Sequence, residues 1–288
     1  MPLRPLLLVL ALAVSLALAA CGSDDDASSS SSSTATTTAA ACSKADLQTI
    51  AAGKLTVGTD KPSFPPYVID DTPSNGKGFE SALSYAVAKE LGFSPAEVKW
   101  AVVPFNSSYA PGPKKFDFDI NQISITPQRE KVVDFSTPYY TAPQAVLALE
   151  GSDAASATDL AGLKDAKLGV QVGTTSLNAV NDVIQPSQQP QVFNDSNDTV
   201  AALKSGRVDA IVLDLPTAIY LRDAELDKAK VVGQFEVPGG DSWGLLTEKG
   251  SKLTTCLNQA LASLKSSGQL QKITDQWMTS YAQAPELK

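Results

Sequence analysis

Phe116-Asp117-Phe118-Asp119-Ile120-Asn121-Gln122-Ile123-Ser124-Ile125-Thr126-Pro127-Gln128-Arg129 carries a change from one backbone period to another. Phe116, Phe118 and Ile120 alternate with polar residues, the pattern of a half-buried strand. Thr126-Pro127 then predicts a helical turn, with Thr as N-cap and Pro at the first position. Arg129 falls in that first turn, where the helix dipole favours anions. Its placement therefore calls for a reason beyond helix stability, and a bound carboxylate would supply one. A structural ion pair with Glu130 or Asp134 is the alternative.

Outward from this stretch, strand and helix signals alternate, which predicts an α/β architecture with mostly parallel strands. Residues 55–59 and 98–103 read as strands, and Phe79, Leu83, Ala86, Val87 and Leu91 mark one face of a helix that stops before Gly92. Tyr109-Ala110-Pro111-Gly112-Pro113 cannot continue a helix. A second unit after Glu150-Gly151-Ser152 reads as strand 167–172, a helix after Thr175, strand 191–193, helix 198–205 and strand 209–213, with Pro216 opening a new helix. Val237-Pro238-Gly239-Gly240 interrupts the pattern, and residues 243–247 read as a returning strand. Leu253, Leu257, Leu261 and Leu264 form a helical stripe, followed by a short helix with Leu270, Ile273 and Trp277. Asp60, Gln122, Ser124, Thr175 and Asp214 all fall just beyond strand C-termini, where open α/β sheets bind ligands.

The chain has 288 residues, enough for one large or two ordinary domains, and a formal net charge of −8 with no basic patch. That balance argues against nucleic acid as a partner. The sequence contains no histidine, which removes Ser-His-Asp catalysis and histidine-based zinc sites. No metal or cofactor is expected. The Gly173 turn lacks the glycine spacing and lysine of a phosphate loop, so nucleotide binding has little support.

Residues 1–20 combine Arg4 with an apolar run from Leu6 and read as a secretory signal peptide. Leu18-Ala19-Ala20-Cys21 resembles a bacterial lipobox, which makes Cys21 the expected lipidation site and anchors the mature chain to a membrane. Residues 21–41, rich in Ser, Thr, Ala and Asp, cannot build a core and read as a tether with a reach of about 25 Å. Cys42 and Cys256 remain, and an exported environment permits a disulfide between them. Two buried free thiols are the alternative.

From Lys54 onward the chain resembles the extracellular solute-binding proteins of family 3, which serve polar amino-acid ABC transporters. The resemblance rests on Val57-Gly58-Thr59-Asp60, Gly76-Lys77-Gly78-Phe79-Glu80, the block from Ile123 to Tyr140, Val172-Gly173-Thr174-Thr175-Ser176 and Val212-Leu213-Asp214-Leu215-Pro216. It implies a two-lobed periplasmic-binding-protein-like fold of type II, each lobe a mostly parallel sheet flanked by helices. The chain would cross between lobes twice, near residues 139–144 and 237–242. Lobe 1 would then hold residues 42–140 and 241–288, and lobe 2 residues 141–240.

The resemblance also implies roles at the site. Arg129 would grip an α-carboxylate, helped by main-chain N–H groups at Ser124 and Thr175, although Thr174 to Ser176 also suits an ordinary helix cap. Asp214 would meet the ammonium, with helix capping as its alternative. Phe64 and Phe105 would sandwich the ligand side chain, or pack in the core, and Tyr67 could share the role. Asp60 would meet an amide or cationic side chain. Gln122 and Gln171 offer no counter-charge for a glutamate, which favours a neutral polar or basic amino acid. The implied protein is an extracytoplasmic monomer without catalytic residues that hands free amino acid to separate permease and ATPase chains. An arogenate- or cyclohexadienyl-dehydratase-like enzyme, or an amino-acid sensor, are the rival readings.

Overall fold

The computed structural model describes residues 42–288. The expected signal peptide, Cys21 and the tether over 21–41 lie outside the described residues. In chain order the first lobe is built from β1 (Leu55–Thr59), α1 (Phe79–Glu90), β2 (Val98–Val102), α2 (Phe105–Ser108), β3 (Phe118–Asp119) and β4 (Val133–Phe135). After β5 (Tyr140–Thr141) the chain enters the second lobe as β6 (Gln144–Leu149), β7 (Leu168–Gln171), α3 (Thr175–Ala179), β8 (Gln191–Phe193), α4 (Ser196–Lys204), β9 (Ala210–Asp214), α5 (Leu215–Tyr220) and β10 (Ala229–Phe235). It returns through β11 (Ser242–Trp243), β12 (Leu246–Glu248), α6 (Leu253–Ser266) and α7 (Gln269–Met278).

Two five-stranded sheets result, ordered β2-β1-β3-β12-β4 and β10-β6-β9-β7-β8. In each, two pairings are parallel and two antiparallel. The expected parallel majority is therefore corrected to an even mixture. The returning strand β12 inserts antiparallel between β3 and β4, and β6 and β10, which the residue pattern did not single out, add an antiparallel edge to the second sheet. The two crossings lie side by side, because β5 and β11 pair antiparallel.

Local chemistry explains the elements that position the site. All five residues of β1 are buried, as befits a central strand covered on both faces. Helix α1 begins at Gly78, whose φ of 101° suits glycine, and a Cβ there would lie 2.4 Å from the Tyr67 carbonyl oxygen. The Phe116 to Ile120 segment departs from a half-buried strand: Asp117 and Asp119 are buried as well as Phe116, Phe118 and Ile120. Asp117 is paid for by two main-chain donors, Ile50 N–H at 2.8 Å and Thr56 N–H at 2.6 Å. The expected strand at 243–247 divides instead at Gly244, so that β11 joins the crossing and β12 joins the first sheet.

The Cys42–Cys256 disulfide is present, with a Cα–Cα separation of 5.3 Å, and ties the start of the first lobe to α6. Leu253, Leu257, Leu261 and Leu264 of α6 pack with Phe79, Leu83 and Val87 of α1 in one core. The expected placement of all of 241–288 in lobe 1 needs correction. Beyond α7 the chain crosses a third time: Leu287 joins the core of the second lobe, and Glu286 pairs with Gln234 of β10. Gly233 makes room, since a Cβ there would lie 2.6 Å from Leu287 Cγ and 2.7 Å from the Pro285 carbonyl oxygen.

Candidate functional site

A cavity of about 350 Å³ lies between the two sheets. Asp60, Phe64, Phe105, Gln122 and Ser124 line it from the first lobe, and Gln171, Thr175 and Asp214 from the second. Tyr67 joins them, with its hydroxyl 3.0 Å from Thr217 Oγ1 across the cleft. Each of these groups sits at or beyond a strand C-terminus or on the helical turn that follows, which is why residues distant in sequence converge.

Arg129 alone among the expected ligand residues does not line this cavity. It borders a second recess with Tyr109, Thr126 and Gly173. Thr126 does cap the turn, accepting the Arg129 N–H at 3.2 Å. The guanidinium donates to the Ser124 carbonyl at 2.7 Å and to the Gly173 carbonyl of the second lobe at 2.9 Å, beneath the rings of Tyr109 and Phe105 at 4.5 and 5.4 Å. Of the two acidic partners considered for it, Asp134 pairs with Lys249 at 2.7 Å, and Glu130 makes no ion pair with it among the described residues. Burial pulls the Arg129 guanidinium below its usual value, and Tyr109, Asp241 and Asp214 oppose that effect. The Tyr109 loop thus belongs to the site's edge, with Tyr109 donating its hydroxyl to Gly173 O at 3.2 Å.

On the second lobe, Thr174 caps α3 by accepting the Leu177 N–H, which leaves Thr175 free to donate its hydroxyl to Asp241 Oδ2 at 2.6 Å. Asp214 occupies the N-cap position of α5 without a side-chain cap bond. Its carboxylate instead accepts from Gln144 Nε2 at 2.6 Å. Burial and then the charge of Asp241 push the Asp214 carboxyl well above the usual carboxylate range, with Gln144 and Arg129 acting against them. Gln171 accepts from Ser196 Oγ at 2.7 Å, and Ser124 and Thr175 hydroxyls meet across the cleft at 3.2 Å.

On the first lobe, Asp60 accepts the N–H groups of Lys61 at 2.7 Å and Phe105 at 3.2 Å. Burial raises its carboxyl, and Asp195 and Asp71 add to that effect. Phe64 lies 6.0 Å from the Tyr220 ring of the opposite lobe. Gln122 adopts φ +49°, a conformation that favours glycine, and its side chain donates to Glu80 while its N–H meets Glu80 Oε1 at 2.8 Å. Glu80 is fully buried, also accepts from Tyr139 Oη at 2.5 Å, and is pushed up by burial to about 7.

Glu80, Gln144 and Asp241 were not among the expected site residues. Glu80 had a visible signal as a carboxylate on the apolar face of α1, and Gln144 as an amide opening the apolar run of β6. Asp241 had none, since it follows two glycines in a turn.

Residues 55–280 match the profile of the family described as bacterial extracellular solute-binding proteins, family 3. Among characterised relatives, the ABC transporter arginine-binding protein 1 of Escherichia coli K12 is 31% identical over 79% of this chain and 91% of its own length. The L-cystine-binding protein TcyJ of the same organism is 29% identical over 78% and 82% respectively. Among solved structures, an ancestral arginine-binding protein bound to arginine superposes with a TM-score of 0.66 at 36% identity, covering 78% of this chain and 98% of that one. The ancestral amino acid-binding protein AncCDT-1, a precursor of cyclohexadienyl dehydratase, gives a TM-score of 0.64 at 32% identity over 78% and 95%.

Proposed function

Since the chain belongs to the bacterial extracellular solute-binding proteins of family 3, we propose that it captures one cationic amino acid between its lobes and delivers it to an ABC importer. The observation that carries the cationic preference is the charge of the cavity wall. Asp60, Asp195 and Asp214 line it, and its one basic residue, Lys61, is 59% exposed and paired with Asp71 at 3.3 Å. Such a wall favours a ligand with net positive charge, which brings each carboxyl a counter-ion as it ionises, and disfavours a dicarboxylate, which brings none.

In this reading Asp214 meets the ligand's ammonium and Asp60 its distal cation, while Phe64 and Phe105 flank the aliphatic stem. Arg129 meets the α-carboxylate by exchanging its bond to a main-chain carbonyl for a stronger bond to a charged acceptor. Because Asp60 and Asp214 stand on opposite lobes, a ligand that reaches both stabilises the closed arrangement. The arginine- and cystine-binding relatives support amino-acid capture. Residues 42–140 with 241–278 make the first lobe and 141–240 the second. Cys21 anchors the chain to the outer face of the cell membrane, a monomer handing its ligand to separate permease and ATPase chains.

The assay is isothermal titration calorimetry with L-arginine, L-lysine, L-histidine, L-glutamine, L-cystine and L-glutamate. Cationic amino acids bind, glutamate does not, and Arg129→Ala or Asp214→Ala each weakens binding by roughly tenfold to hundredfold, the worth of a charged hydrogen bond. Preference for glutamate, or indifference to both substitutions, overturns the assignment. We read the chain as a binder and not a catalyst, since its relative in the dehydratase lineage is itself described as an amino acid-binding protein. Turnover of arogenate or prephenate would reverse that reading.

A further inference from the structure

Behind the cavity wall, Asp214 and Asp241 accept from the same amide nitrogen. Gln144 Nε2 donates to Asp214 Oδ1 at 2.6 Å and to Asp241 Oδ2 at 2.9 Å. The two carboxylate oxygens are therefore no further apart than those two bonds laid end to end. Asp241 is 1% exposed, takes the Thr175 hydroxyl on the same oxygen, and has no protein partner for Oδ1. Asp214 faces the cavity and Asp241 does not.

Two carboxylates held this close, one buried and the other in a cleft between the lobes, repel strongly, and one proton relieves the repulsion. The other ionisable groups around Asp214 do not replace that proton. Arg129 is a nearby cation, but it donates to the Ser124 and Gly173 carbonyls. Glu80 adds negative charge, and the buried Tyr67 phenol is pushed well above its usual range, which keeps it neutral.

Resting on the amino-acid-binding reading, we propose that Asp241 is a positioning residue that holds a proton on Asp214 until the ligand's ammonium takes that proton's place. The exchange balances simply: the O–H bond of Asp214 breaks, its proton passes to solvent, and the carboxylate left behind pairs with the ammonium. Gln144 keeps the two carboxylates in register, and Thr175, which faces the cavity, links Asp241 to the ligand space. The raised Asp214 carboxyl accords with this arrangement. By linkage, binding is strongest above the ligand-free value of Asp214 and weakens as pH falls through it.

The test is titration of the full chain with L-arginine at matched pH in paired buffers, acetate against pyridine at the acid end and phosphate against imidazole towards neutrality, from about pH 5 to about pH 8. The two buffers of each pair differ in ionisation heat, so their enthalpy difference counts released protons. Release approaching about one proton per ligand at the acid end, and declining as pH rises, is the expected result. Asp241→Asn loses the release, Asp241→Glu restores it, and Glu80→Gln retains it, which separates Asp214 from Glu80 as the source. Equal enthalpies in both buffers of a pair at every pH overturn the proposal, as does release that survives Asp241→Asn. Should Asp241→Asn fail to fold, release that persists in both Glu80→Gln and Asp60→Asn assigns the proton to Asp214, and release lost in Asp60→Asn overturns the proposal. Binding without proton release sinks this proposal alone, whereas no binding of any amino acid sinks the functional reading with it.

Discussion

Glu80 is a carboxylate on the buried face of α1, held by Gln122 and Tyr139. Its hydrogen bonds favour the charged form, but burial dominates and raises it from an ordinary 4.5 to about 7. The sign of the linkage follows. Below 4.5 the carboxyl is protonated in the folded and unfolded chain alike, and between 4.5 and 7 the unfolded chain ionises first. The stability Glu80 contributes is therefore present in acid and is lost as pH rises towards 7. The stability of the native protein relative to Glu80→Gln should fall across that window by on the order of 3 kcal/mol, and be flat on either side. Urea unfolding at a series of pH values checks it; a difference that stays constant with pH would mean that Glu80 ionises in the folded chain as it does in water. Glu80 was visible in the sequence only as an acid among apolar neighbours. What raises it is burial, and the Gln122 hydrogen bonds that act against the rise come from a residue 42 positions away.

Strands β1 and β3 are joined by only a short ladder, Val57 to Phe118 and Gly58 to Asp119. Gly58 is glycine for reasons of space and not of conformation. A Cβ there would come within 2.3 Å of Asp119 Oδ2 and 3.1 Å of the Phe116 ring. Asp119 is fully buried without a hydrogen-bond partner for either oxygen, and burial raises its carboxyl well above the usual range. The acid cannot turn to water to make way, so Gly58→Ala should cost about 1–3 kcal/mol, the usual penalty of an overpacked core, and move β3 with the Gln122 turn it leads into. Chemical denaturation measures the first effect and arginine titration the second. At this scale the sequence was legible where periodicity is local. The bounds of β1 and α1 follow from their own residues. The antiparallel strands β6 and β10 were not legible, because an apolar run does not say which edge it will join.

Among the described residues the chain passes between the two lobes at three places and not two. Besides β5 and β11, the last residues run from α7 to the second lobe, where Gln234 N–H donates to Pro285 O at 2.7 Å and Leu287 N–H to Gln234 O at 2.8 Å. Leu287 is 5% exposed, in a core with Val232 and Phe235. Deleting residues 282–288 should therefore cost about 2–5 kcal/mol, as removal of a core leucine does. The loss should be seen as a lower denaturant midpoint, and it should be selective, since the disulfide and the α1–α6 core belong to the first lobe. Hydrogen exchange that loosens β10 while leaving α1 and α6 protected is the expected pattern. Uniform loosening would assign the tail a global role instead.

Composition and local pattern sufficed for the α/β alternation, the exclusion of histidine chemistry, the cysteine pair and the placing of Asp60, Ser124, Thr175 and Asp214 at strand ends. These are properties of neighbouring residues, governed by backbone period, capping and charge count. Only the tertiary structure decided that Arg129 lies beside the cavity rather than on it, that Asp241 shares an amide with Asp214, and that the tail returns to the second lobe. Each depends on groups tens of residues apart, brought together by burial and by hydrogen bonds that a buried polar atom must find somewhere. The identity of that partner is written in the packing and not in the local chain.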